Sequence, residues 1–195
     1  MSLFIPALAP GTGIVEAAHL YAAAGWYVGP ARITTKHPGS LLGKGWDEQT
    51  SRDPWTIATW FQRWPDAGLF LHLGRSGATG IDIDHPDKLA GAAPAFARTV
   101  FTYTGPLQTT RSTNPVVLDH TFGTGGSARR SHLLFLTPAG RRISNSNGDT
   151  GRGWGDVRGE NGVFIVQPSE HTAVDGRYLW ERPGPVGVMP PGLAA

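Results

Sequence analysis

A chain of 195 residues, 39% hydrophobic and 16% charged, suits one packed domain and excludes a disordered polymer. A formal charge of +2 permits a nucleic-acid partner without demanding one, and the absence of cysteine excludes a disulfide framework and a cysteine-ligated zinc site. No apolar run approaches the roughly 20 residues of a membrane span and no basic-then-apolar leader opens the chain, so no membrane partner and a cytoplasmic address are expected.

The 27 glycines, roughly double the usual share, predict many turns. "IVEAAHLYAAAG", Ile14 to Gly25, has apolar residues at helical spacing and a glycine placed to end the helix. "WYVGPA" reads as a first strand. A polar stretch holding Lys36 and Lys44 precedes "TSRDPWTIATWFQRWPD", the clearest helix. Asp53 is placed to cap it, Pro54 suits its first turn, and Ile57, Trp60, Phe61 and Trp64 recur on one face until Pro65 stops it. By that period the Trp55, Trp60 and Trp64 set reads as packing rather than base stacking.

"LFLHLG" (Leu69 to Gly74) and "GIDID" (Gly80 to Asp84) read as short strands joined through "RSGA" in a hairpin-like turn. Lys88 to Tyr103 is predicted helical in part, with Pro94 a break. Further strands are expected at Gln108 to Ser112, Val116 to Leu118, His132 to Leu136, Val163 to Val166 and Arg177 to Trp180. "FGTGGSARR" is a glycine-rich connection, and no "GK[ST]" follows to make it a phosphate cradle. The division expected is a domain over residues 1–182 and a Pro/Gly-rich tail or linker over 183–195. No internal repeat is visible.

In "GIDIDHP" the strand period places Asp82 and Asp84 on one face, about 7 Å apart along it. Two such charges repel and raise one another's pKa unless something positive sits between them. Alone, an Asp-x-Asp reads as exposed acids on an edge, a histidine opening a strand as a satisfied histidine, and Asp156 before Arg158 as a loop salt bridge. Arg129, Arg130, Arg141, Arg142, Arg152 and Arg158 crowd the same part of the chain.

The ordered series "AAHLYAAAGW", the Lys and Pro of "TKHPG", "IATWFQRWPDAGLFLHLG", "GIDIDHP", "SHLLFL", "GDVRGENGVFIVQPSEH" and "YLW" resembles the bifunctional primase-polymerase domain of the archaeo-eukaryotic primase superfamily. Such domains occur in plasmid and phage replication proteins. The likeness spans Ile14 to Trp180. It implies an α+β fold in two α/β layers, with mixed or antiparallel sheets, flanking helices and an RRM-like catalytic core.

By position, the resemblance places the catalytic and metal-binding acids on Asp82, Asp84 and Asp156, and the nucleotide-contacting histidine on His132. Nucleotidyl transfer suits this set, because paired divalent ions stabilise attacking and leaving oxygens, and hard Mg²⁺ or Mn²⁺ prefers carboxylates. Metal is then the positive charge between Asp82 and Asp84.

Arg130 and Arg158 are expected on the triphosphate, since guanidinium forks suit phosphate oxygens. The family's serine before the histidine is displaced in "SARRSH", so that its role as an added donor falls to Ser127 or Ser131 or is lost. The expected partners are nucleoside triphosphates, a single-stranded DNA template held by Lys36, Lys44, Arg75 and the arginines of Arg141 to Arg152, and a helicase domain or partner. Two other readings use the same residues: a metal-dependent nuclease or phosphotransferase, and a non-catalytic nucleic-acid-binding module.

Overall fold

The computed structural model describes residues 2–92, 97–98, 102–112, 130–146, 153–171 and 176–191. The expected strand Val116 to Leu118, the connection "GTGGSAR", Ser127, Arg129 and Arg152 lie outside them.

The chain opens with strand β1 (Phe4–Ile5) and helix α1 (Ile14–Ala23), which buries Ala17, Ala18 and Tyr21. Strand β2 (Tyr27–Ala31) and two single helical turns, α2 (Gly39–Leu42) and α3 (Trp46–Gln49), lead to helix α4 (Pro54–Arg63). Asp53 caps α4 by accepting from Thr56 N–H at 2.7 Å, with Pro54 in the first turn, as the local sequence predicts. Ile57 and Phe61 are buried, and Trp60 and Trp64 pack partly against the same core. Trp55 is 83% exposed, against the packing expected of it: it precedes Ile57 by two positions, about 200° around the helix.

Strands β3 (Gly68–His72) and β4 (Ala78–Ile83) are not a hairpin. Between them Leu73–Ser76 coils into one helical turn, α5. The Ser76 hydroxyl donates to His72 O at 2.7 Å and accepts from Tyr27 N–H at 2.9 Å, and Gly77 leaves the turn at φ 79°. That turn carries the chain from one sheet into another. Helix α6 (Pro86–Ala92) follows, then strands β5 (Leu107–Ser112), β6 (Ser131–Leu136), β7 (Gly155–Arg158), β8 (Val163–Ile165), β9 (Glu170–His171), β10 (Gly176–Arg182) and β11 (Gly184–Pro185).

The fold is α+β, and the described residues form three antiparallel sheets: six strands in the order β7-β4-β6-β5-β10-β9, three in the order β2-β3-β8, and the pair β1-β11. Alternation along β4 divides the core. Ile81 and Ile83 join Leu133, Phe135, Leu89, Trp154 and Met189 in one cluster. On the opposite face Ala78 and Leu134 join the larger core with Leu69, Leu71, Phe164 and the helices α1 and α4. Gly80 lies on that second face, and a β-carbon there would come within 2.4 Å of the Phe164 ring.

The segment expected as a trailing tail is packed through its described part. Phe4 and Ile5 pair with Pro185 and Gly184, Val186 N–H donates to Leu3 O at 3.0 Å, and Val186 and Met189 are buried. The prolines and glycines that suggested a linker sit in a short edge strand and its turns, where a missing N–H is tolerated. Among the described residues no helix is long and apolar enough to cross a membrane.

Candidate active site

Four strands set a polar row across the second face of the large sheet. Asp82 on β4 stands directly opposite His132 on β6 and Asp156 on β7, and His132 is in turn opposite Gln108 on β5. Residues opposite one another in antiparallel ladders project from the same side. The row therefore reads Asp156, Asp82, His132, Gln108. Asp84, expected within the strand, lies in a bend just past the end of β4 and lines the same cleft as Asp82.

His132 Nε2 is 3.3 Å from Asp82 Oδ1. Its ring stacks on Phe164, with centroids 4.2 Å apart and planes 11° from parallel, and this contact is possible because Gly80 leaves room for the Phe164 ring. Arg158 pairs with Asp156 across two positions of β7. Asp156 is 8% exposed.

Opposite this row stands Lys36, whose φ of 53° is left-handed although it is not glycine, a conformation found at constrained functional positions. Its Nζ donates to His171 Nε2 at 2.8 Å and lies 5.7 Å from the centre of the Tyr178 ring. These residues enclose a cleft of about 560 Å³ lined also by Arg130, Asn145 and Asn161.

The charges of the cleft act on one another. Burial works to raise the Asp82 carboxyl, but His132, with smaller help from Arg158 and Lys36, more than offsets it and holds the group below the ordinary value. Asp84 goes the other way, raised by burial and then by the negative charge of Asp82. Burial lowers Lys36, against the pull of Asp82 and Asp84. His171 is pushed down to about 4 by burial and by the positive charges of Lys36 and His132. Burial and the Asp82 charge raise Tyr178.

Among the described residues no three His, Asp or Glu side chains close around a point that would hold a metal ion. The donor chemistry nevertheless fits a hard divalent cation. Asp82 and Asp84 line one cleft, Asp156 is in register beside Asp82, and the Asp82 charge, which after burial raises the Asp84 carboxyl, is one that a cation would offset.

The other expected residues divide. Arg130 and Arg158 line the cleft. Ser131 also lines it, yet it is the register partner of Ile83, so strand alternation turns its side chain from the His132 face. Lys36, expected on the template, lies in the cleft with His132. Lys44 is exposed between α2 and α3.

Arg75, Arg141 and Arg142 come together around a second depression of about 550 Å³ that meets the cleft at Asn161. Arg75 there donates to the carbonyls of Glu48 and Thr50 at 2.7 and 2.5 Å and stacks over Tyr27 at 4.2 Å, while Arg142 pairs with Glu160. Sequence reasoning missed Gln108, His171 and Tyr178 as parts of the site. His171 and Tyr178 lay inside the quoted motifs "GVFIVQPSEH" and "YLW", which was the available signal, whereas Gln108 carried none.

No curated protein sequence matches the chain. Residues 18–192, which include the whole polar row and Lys36, match the N-terminal domain of bifunctional DNA primase/polymerase, Prim-Pol, and the chain belongs to that family.

Proposed function

We propose that the cleft is the active centre of a metal-dependent nucleotidyltransferase that primes and extends DNA on a single-stranded template, as in phage- or plasmid-type replication proteins. The observation that carries this reading is the register of Asp156, Asp82 and His132 on adjacent strands, facing the cation Lys36 across one cleft.

Each side chain has work suited to its chemistry. Asp82 and Asp84, with Asp156 beside them, would hold Mg²⁺ or Mn²⁺, which supplies charge stabilisation for the attacking 3′-oxygen and the departing pyrophosphate. His132, Arg130, Arg158 and Lys36 are the donors for triphosphate oxygens, Arg as a fork and Lys as a point charge. Phe164 and Tyr178 hold the His132 ring in place. The arginines of the adjoining depression, Arg75, Arg141 and Arg142, supply backbone-phosphate contacts for the template, which a primase must hold without reading base edges.

Incubation with single-stranded DNA, nucleoside triphosphates and Mn²⁺ tests the reading: growing strands and released pyrophosphate are expected. Strands that shorten without triphosphate would instead mark a nuclease. No synthesis under varied metals, together with Mn²⁺ affinity unchanged in Asp82→Ala and Asp84→Ala proteins, would leave a binding module.

A further inference from the structure

Gln108 is wholly buried, and every hydrogen-bonding end of its carboxamide is engaged. Its Oε1 accepts from Gln167 N–H at 3.1 Å. Its Nε2 donates to Ile165 O at 2.8 Å and lies 2.9 Å from His132 Nδ1. Turning the amide over would set oxygen against a carbonyl and the amino group against an N–H. The two backbone groups cannot exchange roles, so they decide which end of the amide meets His132.

With an amino hydrogen aimed at it, Nδ1 of the neutral ring must accept, and the ring proton belongs on Nε2. That nitrogen already faces an acceptor, Asp82 Oδ1 at 3.3 Å. Resting on the reading that His132 meets the triphosphate, we propose that Gln108 is a positioning residue, whose buried carboxamide, clamped by Ile165 and Gln167, holds His132 in the Nε2–H tautomer, so that the one ring hydrogen, which faces Asp82 Oδ1 in the free protein, is the donor that phosphate oxygens take over on binding. Phosphate oxygens act here as acceptors, and a lone pair on Nε2 would repel them. The far end of β8 thus governs the chemistry of a residue on β6 through one side chain.

The test is the tautomer itself, read by long-range ¹H–¹⁵N correlation on histidine-labelled protein at a pH where the ring is neutral. Wild type is expected to carry its proton on Nε2, without any ligand present. In Gln108→Glu, a protonated carboxyl can donate to Ile165 O and still turn a lone pair toward Nδ1, so the proton should move to Nδ1. Gln108→Leu removes the donor and leaves only the Asp82 contact, at 3.3 Å, to favour Nε2–H, so a share of the proton should appear on Nδ1.

In both variants affinity for a non-hydrolysable nucleoside triphosphate should fall about three- to tenfold, the worth of one hydrogen bond. A wild-type ring protonated on Nδ1 overturns the proposal even if neither variant folds. So does a tautomer that both variants leave unchanged, or one that moves with no change in triphosphate affinity. A wild type that binds no triphosphate overturns the nucleotide reading itself, and the tautomer measured without ligand shows that the fault lies there and not at Gln108.

Discussion

Asp82 stands directly opposite Asp156 in the β4–β7 ladder, and Asp84, just past the end of β4, has its carboxyl pushed upward. Asp82 and Asp156 each have a cationic or hydrogen-bonding neighbour, His132 and Arg158 respectively. The Asp84 carboxyl is raised first by burial and then by the Asp82 charge, against the pull of Arg130, His132 and His85.

From this Asp82 and Asp84 should respond differently to replacement. Asp84→Asn should abolish synthesis while leaving the fold as stable as wild type or slightly more so, because an acid whose folded pKa is raised is disfavoured in its charged form at neutral pH. Asp82→Ala should abolish synthesis and also cost about 1 kcal/mol or more, through loss of the His132 contact. Mn²⁺ should raise the melting temperature of wild type, about 2.7 kcal/mol at a hundredfold excess over Kd, and this gain should vanish in both variants. Thermal scans with and without Mn²⁺ check it; an equal Mn²⁺ shift in all three proteins would remove Asp82 and Asp84 as ligands.

Gly80→Ala should damage the site without touching a charge. The added methyl would meet the Phe164 ring at 2.4 Å and Leu73 Cδ1 at 2.7 Å, overpacking of the kind that costs roughly 1–3 kcal/mol. The displaced Phe164 would no longer support the His132 ring, so triphosphate affinity should fall with stability. Gly91→Ala is the control, since nothing lies within 4 Å of a β-carbon there. Urea midpoints and triphosphate titrations of the two variants compare directly, and indistinguishable behaviour would show that the Phe164 contact is dispensable.

Acid should weaken the fold through His171 in a defined window. Its folded value of about 4 lies below the ordinary 6.5, so between those values the unfolded chain binds more protons and stability falls as pH falls. His171→Gln, which keeps an acceptor for Lys36, should flatten the dependence between pH 6.5 and 4. His72, also lowered by burial, contributes a slope of the same sign that remains. Urea midpoints at pH 7 and 5 for both proteins decide the matter: an unchanged difference would mean that His171 is already charged in the native state.

Single-stranded DNA should bind weakly and with a shallow salt dependence, about 0.7 in the log–log slope for each phosphate neutralised. Arg141→Glu should lower that slope, because Arg141 lines the depression beside the cleft. A slope near ten would exceed what this surface supplies, and salt-independent binding would rule out phosphate contacts.

The sequence pattern revealed elements better than it revealed partners. Helix α4 was legible because its cap, first-turn proline and apolar spacing agree, and β4 and β6 because alternation and apolar runs are local properties. Which sheet a strand joins is not local. β3 and β4 are separated by few residues and looked like a hairpin, but one turn of helix between them moves the chain across layers.

The acids and His132 were singled out by the order of the motifs in the family resemblance, whereas the register that sets Asp156 and His132 on either side of Asp82 is not local and was not legible. Lys36 was legible as a cation but not as a cleft residue, since its place depends on a left-handed backbone at that position. Gln108 was illegible: its meaning comes from two backbone groups near β8 and one ring on β6, none of them near it in sequence.

The pairing of Phe4 and Ile5 with Pro185 and Gly184 closes the described chain into a loop fastened by hydrogen bonds rather than by a covalent link. A circular permutant that joins these ends through a short flexible connector and reopens the chain at the exposed turn beside Gly140 would keep every strand of the polar row intact. Trimming at Arg182 would do the reverse. It would uncover Leu3 and Ile5, leave Trp26, whose indole N–H is tied to Phe4 O at 2.7 Å, against an unzipped edge, and strip Met189 from the cluster beneath β4 and β6.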